Sequence, residues 1–146
     1  MCGIIGITSN KLVSSPIINS LKKLEYRGYD SAGIATIDSG YIKEVKCEGR
    51  VESLEEAVSK SKLTGNVGIG HVRWATHGIP NTINAHPHSS ENVSVVHNGI
   101  IENSTLLKKF LVNKGHNFKS QTDTEVIAHL ITENLRSSEL QEAITK

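Results

Sequence analysis

The sequence predicts an α+β fold in which sheets are flanked by helices. Three observations carry this reading. Short apolar runs of strand length dominate the early chain, amphipathic helical patterns dominate the later chain, and Ser39-Gly40 is a two-residue turn between two of the strands.

Taken in order, Gly3–Thr8 is an apolar run of strand length. Pro16 suits a first helical turn, and Ile17, Ile18, Leu21 and Leu24 then fall on one face of a helix. Gly33–Asp38 and Tyr41–Cys47 form the hairpin about Ser39-Gly40. Ser53 and Glu56 have capping-box spacing ahead of Ala57 and Val58. Val67–Val72 and Val93–His97 predict two further buried strands. Leu106, Leu107, Phe110 and Leu111 line a helix that ends near Gly115. Thr122 and Glu125 make a second capping box before Val126, Ile127, Leu130 and Ile131. Ser138 and Gln141 open a last helix in which only Leu140, Ala143 and Ile144 are apolar before Lys146. A helix of about two turns is marginal alone, so the fold is expected to be incomplete at the C-terminus.

The 146 residues suffice for one domain, and a charged share of 21% with net charge +1 spreads no basic footprint for nucleic acid or anionic membrane. No apolar run approaches the roughly 20 residues that span a bilayer, and the start MCGIIGITSN lacks the basic opening of a secretory signal. Two cysteines, Cys2 and Cys47, make no disulfide framework, which points to a reducing cytoplasm.

The chemistry concentrates in a few segments. Removal of Met1 would make Cys2 the first residue. A free α-amine titrates near ~7.7–8.0 and a thiol near ~8.5, so the amine is a tethered base of suitable strength for its own side chain; alternatively Cys2 is a small hydrophobe starting a strand. Residues 24–33, LEYRGYDSAG, are a turn cluster that brings Arg27 near Asp30, either a connector or the wall of a polar site. Residues 70–78, GHVRWATHG, leave a strand and enter a loop with Arg73, Trp74, Thr76 and His77, where the Arg73 fork suits a carboxylate. Asn98-Gly99 is either a hairpin turn or an oxyanion hole made of a side-chain amide and a backbone N–H. Asp123, in the first turn of a helix, either complements the helix dipole or receives a ligand's ammonium group. His71, His77, His86, His88 and His97 include no i, i+4 pair on an evident helix, and the sequence predicts neither metal nor cofactor.

Together these segments resemble one family. Met1-Cys2-Gly3-Ile4, YRGYDSAG at 26–33, RWATHG at 73–78, NAHPH at 84–88, HNGIIEN at 97–103 and TDTEVIAHL at 122–130 are similar to the glutaminase domain of the glucosamine-6-phosphate synthases. These are class II glutamine amidotransferases of the N-terminal nucleophile hydrolase superfamily. The resemblance covers nearly the whole chain and implies a four-layer αββα sandwich, with residues 1–146 as the N-terminal portion of a type-2 glutamine amidotransferase domain. It implies that Cys2 attacks L-glutamine while Asn98 and Gly99 hold the oxyanion. Arg73, with Trp74, Thr76 and His77, would grip the α-carboxylate end, and Asp123 would take the α-ammonium. It further implies transfer of ammonia to fructose 6-phosphate on a separate isomerase domain, absent from these residues, in an enzyme that is a homodimer when complete.

Overall fold

The computed structural model describes residues 2–75 and 78–145. Thr76 and His77, both expected in the site, lie outside the described residues, as does Met1.

A four-stranded antiparallel sheet is built from β1 (Gly3–Thr8), β2 (Ser31–Asp38), β3 (Tyr41–Glu48) and β4 (Val67–Arg73) in the order β1-β4-β2-β3. The β2–β3 hairpin turns at Ser39-Gly40, where both residues take positive φ, 52° and 84°, as the strand twist demands of a two-residue turn. Its register pairs Asp38 with Tyr41 and Ser31 with Glu48. β2 starts two residues earlier than its apolar run because Ser31 also pairs with Arg73 of β4.

Side chains alternate across this sheet. Ala32, Ile34 and Val72 join the core beneath α1 (Ser14–Leu24) and α2 (Val51–Ser61), together with Ile17, Leu21 and Leu54. Gly70 admits α1 closely, since a Cβ there would meet Ile17 Cγ2 at 2.5 Å. The opposite parity of β4 therefore sends His71 and Arg73 together to the other face.

That face is covered by a two-stranded hairpin, β5 (His88–Ser90) and β6 (Val93–Val95). Behind the hairpin lies α4 (Glu125–Leu135), which also packs against α3 (Ser104–Asn113) and α5 (Leu140–Thr145). Helices thus lie outside two sheets, the layering expected from the family resemblance. An apolar groove of about 310 Å³ separates β2 and β4 from β6, α4 and α5, with Ile37, Ile69, Ile131 and Ile144 on its walls. No described helix is long and apolar enough to cross a membrane.

Neither expected capping box forms. α2 begins at Val51, two residues before Ser53, because the Glu25 carboxylate accepts the Val51 N–H at 2.8 Å from outside the helix. α4 begins after Thr124, and the buried Glu125 carboxylate accepts the N–H groups of Lys119 and Ser120 at 2.8 and 2.7 Å in place of a capping contact. The expected strand Val93–His97 is shorter, ending at Val95, and its partner β5 is a short strand the apolar pattern does not disclose.

Candidate active site

Cys2 stands immediately before β1, and β1 lies beside β4 with Gly3 opposite Val72. This pairing brings the first residues of the chain to the end of β4, where Arg73 and Trp74 leave the sheet. The Trp74 N–H points at Cys2 Sγ from 3.3 Å, and the thiol lies 3.6 Å from the Trp74 carbonyl oxygen.

The Cys2 carbonyl is held from two sides. Arg27 Nε donates to it at 3.1 Å and the Asn98 amide nitrogen at 3.3 Å. Arg27 belongs to the turn cluster at 24–33, which wraps the strand end. Gly28 lies so close to β4 that a Cβ would meet the Arg73 carbonyl carbon at 2.6 Å and Trp74 N at 2.8 Å. Asp30 accepts the Ala75 N–H and the Ser31 hydroxyl, and the Tyr29 ring meets Trp74 edge-on with centroids 5.7 Å apart. The cluster is therefore a wall, not merely a connector.

These groups border a cavity of about 430 Å³ whose lining includes Cys2, Arg73, Trp74, Asn98, Gly99 and Asp123. The structure thus brings together every predicted site residue it describes. Arg73 is 4% exposed, and its Nη2 reaches the Gly78 carbonyl at 3.4 Å. Asp123 precedes α4 instead of lying in its first turn, and one carboxylate oxygen accepts the Ile101 N–H at 2.7 Å. Asn98-Gly99 is not a hairpin turn: the pair follows β6 in irregular chain with Asn98 turned toward Cys2.

His71, His86 and His97 also line the cavity. His71 and His86 stack with centroids 4.3 Å apart and planes 18° from parallel, and His88 meets His86 edge-on at 4.6 Å. His71 Nε2 is 2.9 Å from the Asn98 amide oxygen, His88 Nε2 is 2.8 Å from the Thr122 hydroxyl, and His97 Nδ1 is 3.2 Å from the Thr124 hydroxyl. Burial, reinforced by the Arg73 charge, pushes His71 down to about 4. Burial likewise takes His88 to about 4, with Lys46 contributing, and lowers His86 further. All three are neutral at pH 7. Among the described residues no group of three or more His, Cys, Asp or Glu is arranged to hold a metal ion.

Sequence reasoning weighed the histidines only as metal ligands and set them aside, and so missed His71, His86 and His97 as lining residues. Parity was the available signal for the first, since His71 lies two residues before Arg73 on one strand and must share its face. Asn84 was likewise passed over. It is 1% exposed and ties residues 79–84 to Gln121 through bonds of 3.0 and 2.8 Å.

Residues 57–139 match the glutamine amidotransferase domain. The chain is 55% identical over 145 residues to a glutamine–fructose-6-phosphate aminotransferase [isomerizing] of Bartonella henselae, covering 99% of this chain and 24% of that protein. The protein of the same name from Pyrococcus horikoshii is 57% identical over 138 residues, 93% of this chain and 23% of its own length. Among solved structures, a glutamine phosphoribosylpyrophosphate amidotransferase from B. subtilis matches with TM-score 0.77 at 32% identity, over 99% of this chain and 31% of that one. A structure of the allosteric regulatory enzyme of purine biosynthesis matches with TM-score 0.79 at 34% identity, over 99% and 32%. The chain spans about a quarter of the length of the curated relatives it matches. With the family match extending over more than half its residues, the chain belongs to the glutamine amidotransferase domain family.

Proposed function

We propose that this chain is the glutaminase portion of an enzyme that makes glucosamine 6-phosphate from fructose 6-phosphate and glutamine. The observation that carries the reading is the meeting of four groups in one cavity: the Cys2 thiol, the Asn98 amide, the Arg73 guanidinium and the Asp123 carboxylate. Arg73 and Asp123 have the charges that a free amino acid's carboxylate and ammonium require. The family resemblance adds Thr76 and His77, which follow Arg73 in sequence, to the residues assigned to the carboxylate end.

With Met1 removed, the Cys2 α-amine accepts the thiol proton. Sulfur attacks the side-chain amide carbon of glutamine, and the resulting oxyanion is held by the Asn98 NH₂ and the Gly99 N–H. The C–N bond breaks, nitrogen takes the proton and leaves as ammonia, and water hydrolyses the thioester to glutamate and free thiol. The fructose 6-phosphate acceptor is named in the relatives' activity and belongs to an isomerase domain outside the matched portion. The working enzyme is a cytoplasmic homodimer.

The test is glutaminase turnover of the full-length protein. Cys2→Ala is expected to abolish it while glutamine still binds by calorimetry, and retention of a tenth of the activity would remove Cys2 from its role. Arg73→Lys keeps the charge but loses the two-point fork, so KM is expected to rise about tenfold with kcat largely preserved. A collapse of kcat at constant KM would instead put Arg73 at the reacting carbon.

A further inference from the structure

Cys2 O is a carbonyl, which can only accept hydrogen bonds. The group of Asn98 that faces it at 3.3 Å must therefore be the NH₂. The amide oxygen then faces His71 Nε2 at 2.9 Å, and Nε2 must donate. From these contacts we infer that His71 is a positioning residue for glutamine hydrolysis: its Nε2–H holds Asn98 with the NH₂ turned to the Cys2 side. This rests on the proposed role of Asn98 in the oxyanion hole.

Three features support the assignment. His71 is 1% exposed, and His71 Nδ1 has no hydrogen-bond partner among the described residues. A proton on Nε2 is bonded to the Asn98 amide oxygen, and a buried donor needs such a partner. Burial keeps the ring neutral, leaving one proton to place. The ring plane is fixed by the His86 stack. That stack in turn depends on Gly33, which pairs with His71, because a Cβ on Gly33 would meet the His86 carbonyl oxygen at 2.1 Å. Without the His71 donor, Asn98 could rotate its oxygen toward the developing oxyanion and repel it.

The proposal is tested by steady-state glutaminase kinetics of the full-length protein. His71→Leu removes the donor and is expected to lower kcat about tenfold to a hundredfold, less than the loss of an oxyanion donor itself, while KM for glutamine stays within about twofold. His71→Gln returns an N–H and should recover most of kcat, which a merely structural loss would not do. Asn98→Ala should lower kcat at least as far, and adding His71→Leu to it should cost nothing more. If Asn98→Ala leaves kcat intact, the oxyanion reading itself falls. If Asn98→Ala collapses kcat but His71→Leu multiplies that loss, or moves KM in place of kcat, the positioning role alone is overturned. Should His71→Leu fail to fold, ring-nitrogen shifts of ¹⁵N-histidine in the unaltered protein decide the matter: an Nε2–H tautomer at His71 upholds the role, and an Nδ1–H tautomer overturns it.

Discussion

The two halves of the molecule bury different chemistry. Between Val13 and Val72 the core is aliphatic, and only Ser31, Thr36 and His71 interrupt it among the buried residues. From Arg73 to Thr132 the buried residues are largely polar, including Asn84, His86, His88, Thr122, Glu125 and His129. An aliphatic core is non-directional and tolerates repacking if volume is kept. A polar core works only when each donor meets its acceptor, and a half-satisfied network costs more than none. The candidate site residues lie on the seam: Cys2 and Arg73 stand at the ends of β1 and β4 in the sheet of the first half, and Asn98 and Asp123 come from the second. The oily half fixes the strands, and the polar half fixes proton positions.

The sharpest way to break the contrast is to damage each half and compare. Leu21→Ala, at a fully buried position against Gly70, should cost about 2–5 kcal/mol by opening a cavity. A loss below ~1 kcal/mol in urea melts would mean the aliphatic half is already loosely packed.

Acid should act on the other half. The unfolded chain takes up protons on histidine below about 6.5, whereas folded His88, and His71 where it stacks on His86 of the polar half, resist until about 4. Stability is therefore flat above neutrality and falls as pH drops from 6.5 toward 4, by about 3 kcal/mol for a histidine shifted that far. Glu125 sharpens the lower end. Burial would raise it, but the Ser120 hydroxyl and the N–H groups of Lys119 and Ser120 hold it below the usual value, so its contribution is lost as pH falls through that lowered value. Hydrogen exchange at pH 7 and pH 5 should show residues 84–132 loosening before 3–72. Uniform loosening would erase the distinction.

The smallest effect expected is that of Thr122→Val. The hydroxyl joins His88 Nε2 at 2.8 Å and Ser120 Oγ at 3.0 Å. Its removal at nearly constant volume should cost about 1–2 kcal/mol, chiefly from partners left unsatisfied. An unchanged melting temperature would show that water replaces it.

The sequence discloses the aliphatic half far better than the polar one. Periodicity finds α1 through Ile17, Ile18 and Leu21, and turn chemistry finds the hairpin at Ser39-Gly40, because both signals are local. The capping boxes at Ser53 and Thr122 fail because the competing partners are remote: Glu25 reaches the start of α2, and the 119–120 backbone claims Glu125. β5 escapes because His88–Ser90 looks polar and is buried only by what folds over it. Residue types alone leave Cys2, Asn98 and Asp123 open between structural and functional readings, and it is the family resemblance that selects them, with Arg73, as candidates. Residue types do not disclose that His71 faces Asn98, a contact made across 27 residues by strand parity.

The clamp on the Cys2 carbonyl has a further consequence. Arg27 and Asn98 together occupy that oxygen, and the peptide plane joining Cys2 to Gly3 is fixed where β1 begins. The Cys2 side chain is left with little motion beyond rotation about its Cα–Cβ bond. Holding one residue's backbone in a single well costs about 1–2 kcal/mol of conformational entropy. Here that ordering is complete when the chain folds, so it need not be repeated when a ligand enters the cavity. Sulfur then searches a short arc among three staggered positions, and one of them lies beside the Trp74 N–H.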